Sequence, residues 1–320
     1  STYSEFENSV EDLLSKGASS LVLDLRNNPG GFLQIAEQIV DEFLEDGKLI
    51  LFTKNKTNDT IESFATTKGH FEQAKVYVLI NENSASASEI IAGALQDNDR
   101  GTIVGRRSFG KGLVQQEMDL GDGSAIRLTT SRYYTPTGRS IQRSYDKGSD
   151  AYYDDYYQRL DDRTMDTLRA EGIADSLTFT TPKGKIVYGG GGIIPDVYVP
   201  YDANFNNDIV EFLKVSGVVD FFVFEYLYRQ HNQYTSLSEA EFLSSFEVSE
   251  AIYQQFISNL SETMNMKMED TNLYTNAIKT LLKSAFGKQL FGDNTAAKVL
   301  STFDPMLQTI NELEAFLISN

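Results

Sequence analysis

The sequence predicts an α/β fold followed by a helical C-terminal region, and three observations support this prediction. Short apolar runs alternate with amphipathic stretches in the first half of the chain. Turns rich in glycine, asparagine and serine follow several of these runs. From residue 206 onward, apolar residues recur every three to four positions, as in helices. A chain of 320 residues can hold a large core and a smaller appendage, so we expect a core over 1–200 and a helical region over 201–320.

In the core, apolar periodicity and turn residues define the expected elements. Amphipathic periodicity predicts helices over 4–16, over 32–44 and after residue 86. Continuous or alternating apolar runs predict strands over 21–25, 49–53, 76–80, 103–104, 113–120, 125–134, 177–180, 185–187 and 197–199. Residues 145–172 are acidic and rich in tyrosine, which indicates a surface insertion with some helix. Beyond the core, periodicity predicts helices over 208–215, 221–229, 239–245, 249–264, 273–286 and 305–318.

The composition narrows the classes of partner. The 28 basic and 46 acidic side chains give a net charge of −18, which would repel phosphate backbones and anionic lipid. Nucleic acid is therefore an unfavourable partner. The chain has no cysteine, which excludes disulfides, thiolate metal sites and cysteine nucleophiles. His70 and His231 are the only histidines and have no metal-ligand spacing, so we expect both to be ordinary surface residues.

Three turn regions could converge on one site, namely residues 27–31, 81–89 and 105–112. Each follows a predicted strand, and ligands of open α/β sheets bind where strands end and helices begin. Ser86 lies at such a turn, where N–H groups of the following helix can stabilise a developing oxyanion. Ser86 and Glu89 also match a helix capping box, so the same serine has a purely structural interpretation.

The loop over residues 105–112 nearly matches the phosphate-binding pattern G-x-x-x-x-G-K-[ST]. Gly112 occupies the last position and cannot supply the hydroxyl that holds magnesium. An alternating segment follows the loop, where a phosphate loop would open a helix. These two departures argue against a nucleotide site. They leave Lys111 as either a surface lysine or a catalytic base.

Four motifs in a fixed order give the sequence a family resemblance. They are DLRNNPGG (24–31), SASASEI (84–90), FGKGLVQ (109–115) and GGGIIPD (190–196). With them the chain resembles the carboxy-terminal processing (tail-specific) peptidases of family S41, in particular the Bacteroidetes form with its helical tail. The resemblance implies a ClpP/crotonase-like serine peptidase core over 1–200, with the insertion 145–172. It also implies an endopeptidase that acts on protein C-terminal regions without a metal or other cofactor.

The same resemblance assigns roles to five residues. Ser86 would be the nucleophile, Lys111 the general base and Gln115 the third catalytic member. The backbone N–H groups of Gly31 and Ala87 would form the oxyanion hole. The partners implied are protein or peptide substrates and no nucleotide, and a homo-oligomer is left open.

The chemistry of a lysine base sets a physical requirement. A lysine accepts a proton only when neutral, and lowering its pKa from about 10.4 to near 7 corresponds to about 5 kcal/mol. We therefore expect Lys111 to be buried against groups such as Phe109, with Arg106 and Arg107 adding repulsion if they lie close. Residues four apart in an ideal strand are about 13 Å apart. Gln115 can then reach Lys111 only if the chain bends at Gly112.

Two further questions stay open at the level of sequence. The family carries a PDZ domain, and nothing before the strand at Leu21 can be one, so activity of this chain alone is not implied. The resemblance implies an extracytoplasmic, periplasmic location, with any membrane anchor in a missing N-terminal part. The alternative function is a non-catalytic peptide-binding or scaffold module that retains the peptidase motifs.

Overall fold

The computed structural model describes residues 2–67, 69–146, 148–161, 175–202, 208–230, 234, 236–264 and 271–319. His231 and residues 147 and 162–172 of the predicted insertion lie outside this set. The chain divides into two compact units, Ser1–Pro200 and Tyr201–Asn320.

The first unit mixes strands and helices. Its elements are α1 (Thr2–Ser15), β1 (Ser20–Asp24), α2 (Leu33–Asp41), β2 (Leu49–Asn55), β3 (Thr60–Phe64), β4 (Lys75–Ile80), α3 (Ala87–Asp97), β5 (Thr102–Gly105), β6 (Leu113–Asp119), β7 (Ala125–Tyr134), α4 (Gly148–Asp161), β8 (Thr178–Thr180), β9 (Ile186–Tyr188) and β10 (Val197–Tyr198).

Two four-stranded sheets organise these elements. The first has the order β1-β4-β5-β10, and all its neighbouring strands are parallel. The second has the order β3-β2-β7-β6 and is antiparallel. β2 follows β1 and α2 in a β-α-β order along the chain, yet it pairs in the second sheet. β8 and β9 form a separate antiparallel pair.

The core of this unit surrounds α3 and β4. Every residue of α3 is buried, and β4 is buried from Val76 to Ile80. Apolar side chains from both sheets, α2 and α3 join one cluster around them. Because β1, β4 and β5 are parallel, their carboxyl ends lie at one edge of the sheet. The loops over 25–31, 81–86 and 106–112 leave from that edge.

The second unit is helical. Its helices are α5 (Asp208–Val215), α6 (Val218–Arg229), α7 (Glu239–Ser245), α8 (Glu250–Met264), α9 (Thr271–Phe291), α10 (Asp293–Ser301) and α11 (Pro305–Ser319). Their apolar faces pack around Phe242, Phe256, Leu282 and Phe286. In the described part of the chain, no helix has both the length and the apolar character that a membrane span needs.

The predicted fold class, a mixed α/β core with a helical C-terminal region, is confirmed. β3 and α10 were not predicted. β3 is a short, mostly exposed strand without an apolar run. α10 is nine residues long and buries Thr295, Ala296 and Val299, so its periodic pattern is short.

Candidate functional site

Hydrogen bonds join the loops that leave β1 and β4. The Asn28 carbonyl oxygen accepts from the Ala85 N–H and from the Ser88 hydroxyl, both at 3.0 Å. Gly30 lies against Ala85 and Ala87. A Cβ on Gly30 would meet the Ala85 carbonyl oxygen at 2.5 Å and the Ala87 nitrogen at 2.6 Å. Only glycine therefore allows the two loops to approach this closely.

Ser86 has an unusual backbone conformation. Its φ is 55° and its ψ is −113°, a region that residues with a side chain rarely adopt. The capping-box serine is thus held at a strained turn. Ser86 and Glu89 form the predicted capping box at the start of α3, in which the Ser86 N–H donates to Oε2 of Glu89 at 2.9 Å. The N–H of Glu89 donates to the Ser86 carbonyl oxygen, also at 2.9 Å.

Glu89 connects the loop over residues 81–86 (the serine loop) with the loop over residues 106–112 (the lysine loop). Its Oε2 accepts from the N–H of Ser86 at 2.9 Å and from the N–H of Lys111 at 2.8 Å. Its Oε1 accepts from the Ser108 hydroxyl and the Gly110 N–H, both at 2.6 Å. Burial raises the pKa of the Glu89 carboxyl, and these four hydrogen bonds oppose that rise. Glu89 therefore acts as an internal anchor for both loops.

Tyr133 contacts the carbonyl oxygens of Ser86 and Lys111. Its hydroxyl lies 3.3 Å from the Ser86 carbonyl oxygen and 3.1 Å from that of Lys111. The side chain is 1% exposed. Burial and, secondly, the charge of Glu89 raise the pKa of Tyr133 well above its usual value, which keeps the phenol a hydrogen-bond donor.

A cavity of about 550 Å³ opens over these loops. Its lining contains Ser86 and Lys111 beside apolar side chains and the exposed Glu117–Arg127 ion pair of the β6–β7 hairpin. The lining residues are Gly31, Phe32, Leu33, Ser86, Ile90, Lys111, Leu113, Val114, Gln115, Glu117, Arg127 and Tyr133. A pocket with a few convergent polar groups among apolar ones is typical of a binding site.

Four of the five residues predicted for the site line this cavity, namely Gly31, Ser86, Lys111 and Gln115. Ala87 is the first residue of α3 and is buried; its N–H belongs to the first turn, where N–H groups have no intrahelical partner. No hydrogen bond joins the Ser86 hydroxyl, the Lys111 ammonium and the Gln115 amide in the described structure.

Lys111 is half-buried at the cavity and not fully buried as expected. The arginines expected to add repulsion have other partners. Arg106 forms an ion pair with Glu82 at 2.9 Å, and Arg107 donates to the Gly191 carbonyl oxygen.

The bend expected at Gly112 stays a prediction. β6 begins at Leu113, so Lys111 and Gly112 precede the strand. The Gly112 N–H donates to the Gln142 side-chain oxygen at 2.8 Å, and a Cβ on Gly112 would meet the Gln142 nitrogen at 3.0 Å. The pairing with β7 shifts register between Val114 and Gln115, as in strands next to functional sites.

The glycine-rich fourth motif, residues 190–196, packs against Ser108 of the lysine loop. The Ile193 N–H donates to the Ser108 hydroxyl at 2.6 Å, and Ser108 in turn donates to Glu89. Gly192 has a φ of +92°, and a Cβ there would meet the Ser108 carbonyl oxygen at 2.5 Å. This motif therefore positions the site without lining the cavity.

His70 lies in a different part of the unit. Its Nδ1 is 2.8 Å from Oε2 of the buried Glu42, and this hydrogen bond raises the pKa of His70. The described residues contain no group of three or more His, Cys, Asp or Glu side chains that could hold a metal ion.

Sequence reasoning missed two residues of the site. Glu89 was interpreted only as a helix cap, although a carboxylate at the start of an otherwise small and apolar helix was a signal of burial. Tyr133 gave no signal, because it ends an ordinary alternating strand and its partners are 22 and 47 positions away.

Comparisons with known proteins match parts of both units. Residues 1–148 match the peptidase family S41, and residues 210–292 match a family of unknown function. The carboxy-terminal-processing protease of Bartonella bacilliformis is 46% identical over 145 residues, covering 44% of this chain and 33% of the relative. The carboxyl-terminal-processing protease of Synechocystis sp. is 42% identical over 141 residues, with coverages of 44% and 33%.

One solved structure is also similar in sequence. The photosystem II D1 C-terminal processing protease is 36% identical, with a TM-score of 0.41, and the match covers 44% of this chain and 36% of that one. The chain spans about a third of the length of the curated relatives it matches.

Proposed function

We propose that this chain is a serine endopeptidase that cleaves the C-terminal regions of proteins, because residues 1–148 match the peptidase family S41. Ser86 is the nucleophile and Lys111 the general base. The observation that carries the proposal is the shared attachment of their backbones to Glu89 and Tyr133 at the cavity. Four hydrogen bonds to two buried side chains fix the spacing of a serine and a lysine that are 25 positions apart.

The reaction proceeds through an acyl-enzyme. Neutral Lys111 takes the proton of the Ser86 hydroxyl while the oxygen attacks the scissile carbonyl carbon. The N–H groups of Gly31 and Ala87 stabilise the resulting oxyanion. Lys111 then gives the proton to the leaving amine as the peptide C–N bond breaks. A water molecule, deprotonated by Lys111, hydrolyses the ester and restores Ser86, while Gln115 orients the lysine.

A partly exposed lysine fits this role only if the cavity loses water when substrate binds. Peptide in the cavity would displace solvent from Lys111 and disfavour its charged form. Hydrogen bonds between catalytic groups are often long before substrate binds and tighten in the complex. The apolar side chains of Phe32, Leu33 and Ile90 in the lining favour such a dry complex.

The test uses Ser86→Ala and Lys111→Ala. We expect both variants to keep the wild-type melting temperature and to lose cleavage of a protein with an unstructured C-terminal tail. A fluorophosphonate probe should label Ser86 in the wild type and not in Ser86→Ala. Ser9→Ala on α1 and Lys16→Ala directly after α1 are the controls and should cleave normally. A Ser86→Ala variant with full activity would refute the assignment.

The missing Ser86–Lys111 hydrogen bond favours the second candidate, a peptide-binding module without catalysis. That module would hold tail peptides equally well in the wild type and in Ser86→Ala, without product and without labelling by the probe. We also propose the extracytoplasmic location that the resemblance implies.

A further inference from the structure

The tyrosine-rich helix α4 begins where the match to the peptidase family ends, at residue 148. The acidic, tyrosine-rich sequence was expected to be a surface excursion. Its described part forms this helix and also packs on two of the loops that form the site. We propose that α4 is a positioning element of the site, in which Tyr152 and Tyr156 hold the loops of Lys111 and Ser86 in place. This inference rests on the proposed function.

The first contact is with Phe109, two residues before Lys111. Its ring centroid is 6.2 Å from that of Tyr152 and 5.3 Å from that of Tyr156, and the rings are tilted by 69° and 56°. Aromatic pairs with this spacing and tilt are favourable beyond the area they bury. The Phe109 N–H also donates to the Ser84 carbonyl oxygen at 2.9 Å. A displaced Phe109 would therefore disturb both loops.

Arg143 strengthens the contact by lying between α4 and the lysine loop. Its guanidinium carbon is 4.3 Å from the ring centroid of Phe109 and 4.0 Å from that of Tyr152. Nη1 donates to the Tyr152 carbonyl oxygen at 2.9 Å, and the backbone N–H donates to the Gly110 carbonyl oxygen at 3.1 Å. The residue is 4% exposed, and desolvated cation–π contacts are the stronger ones.

The second contact reaches the serine loop through Asn83. The Tyr156 hydroxyl donates to Oδ1 of Asn83, three residues before Ser86. The Asn83 amide donates to Oδ1 of Asn27 at 2.9 Å, and the Asn81 amide donates to the same oxygen at 2.9 Å. One tyrosine is thus connected to the nucleophile loop and, through an asparagine network, to the loop that carries Gly31.

None of the α4 side chains that the structure describes is among the lining residues of the cavity. The effect of α4 on catalysis would therefore be indirect. A misplacement of reacting groups by about 1 Å can lower a rate by about a hundredfold. Loss of the α4 contacts should lower kcat more than it changes KM, because the substrate-lining side chains remain.

The test compares Tyr152→Ala with Tyr152→Phe. The alanine variant loses the ring that covers Arg143 and Phe109, whereas the phenylalanine variant keeps it. We expect Tyr152→Ala to lower kcat by about ten- to a hundredfold and to speed hydrogen exchange at the Gly110 and Lys111 amides. Tyr152→Phe should restore both. Tyr228→Ala, on α6 and 80% exposed, is the control and should behave like the wild type.

The two readouts separate the failure of this inference from the failure of the proposed function. A wild-type chain that cleaves nothing refutes the peptidase, and the exchange rates still decide whether α4 holds the lysine loop. Wild-type exchange and turnover in a folded Tyr152→Ala would overturn the inference. If Tyr152→Ala does not fold, Tyr156→Phe provides the test, because it removes only a hydroxyl. Its expected effect is faster hydrogen exchange at the backbone amide of Asn83.

Discussion

Ser86 and Lys111 donate their backbone N–H groups to the same atom, Oε2 of Glu89, at 2.9 and 2.8 Å. The two residues come from different loops, one after β4 and one after β5. A single buried carboxylate therefore sets their separation, and the fold around it must supply the free energy of burying a charge. That cost is offset by the four hydrogen bonds that the carboxylate accepts.

Glu89→Gln tests this anchor. Glutamine replaces one acceptor oxygen with an NH2 group. That group would face either the N–H groups of Ser86 and Lys111 or the Ser108 hydroxyl and the Gly110 N–H. Each buried donor left without an acceptor costs about 1–3 kcal/mol, while removal of the buried charge returns part of that cost. We expect a free energy of unfolding lower by about 2–4 kcal/mol and a large loss of kcat.

Chemical denaturation and peptide cleavage measure the two effects of Glu89→Gln. Glu62→Gln, on the exposed strand β3, is the matched control and should change neither quantity. A stable Glu89→Gln variant with wild-type kcat would show that the carboxylate is only a helix cap.

Tyr133→Phe tests the second attachment. The ring keeps its burial, and only the hydroxyl that reaches the carbonyl oxygens of Ser86 and Lys111 is lost. The expected loss of stability is about 1 kcal/mol, together with a fall in kcat at unchanged KM. Tyr134→Phe is the control, because the ring of Tyr134 stacks on Phe52 and keeps that contact. Equal kcat values for the two variants would contradict a positioning role for Tyr133.

Much of this architecture was predictable from the sequence, because periodicity and turn residues are local. The runs at Val76–Ile80 and Leu21–Leu25 and the glycine turns gave the strands and loops of the parallel sheet. The attachments of the site are not local. Glu89 accepts from residues 19, 21 and 22 positions away, and no spacing in the sequence encodes such contacts. The partial exposure of Lys111 could not be predicted from the sequence either, because it depends on the shape of the cavity.

Gly30→Ala should disrupt the serine turn by a steric clash. A Cβ would lie 2.5 Å from the Ala85 carbonyl oxygen and 2.9 Å from the Ser86 Cβ, at a φ of +94°. We expect a loss of stability above the 1–2 kcal/mol or so that positive φ alone costs a non-glycine residue, and a loss of cleavage. Thermal melting and activity assays measure both.

Gly121→Ala separates the clash from the backbone strain in Gly30→Ala. Gly121 also has a positive φ, +82°, but a Cβ there would meet nothing within 4 Å. Its variant should show the strain cost alone and retain activity. If Gly30→Ala loses no more stability than Gly121→Ala, the close approach of the two loops is not a requirement of the fold.

The pH dependence of stability should contain a contribution from His70. Glu42 raises the pKa of His70 chiefly by a hydrogen bond, so the folded state favours the protonated ring more than the unfolded state does. The resulting stability is fully present below the unfolded pKa of about 6.5 and is lost as the pH rises through the raised pKa. Wild-type protein should therefore lose more stability than His70→Gln between about pH 6 and 8.5. Urea midpoints at both pH values measure this difference, in which the titration of His231 cancels because both proteins contain it. Parallel pH profiles for the two proteins would show that the Glu42–His70 contact does not favour the protonated ring.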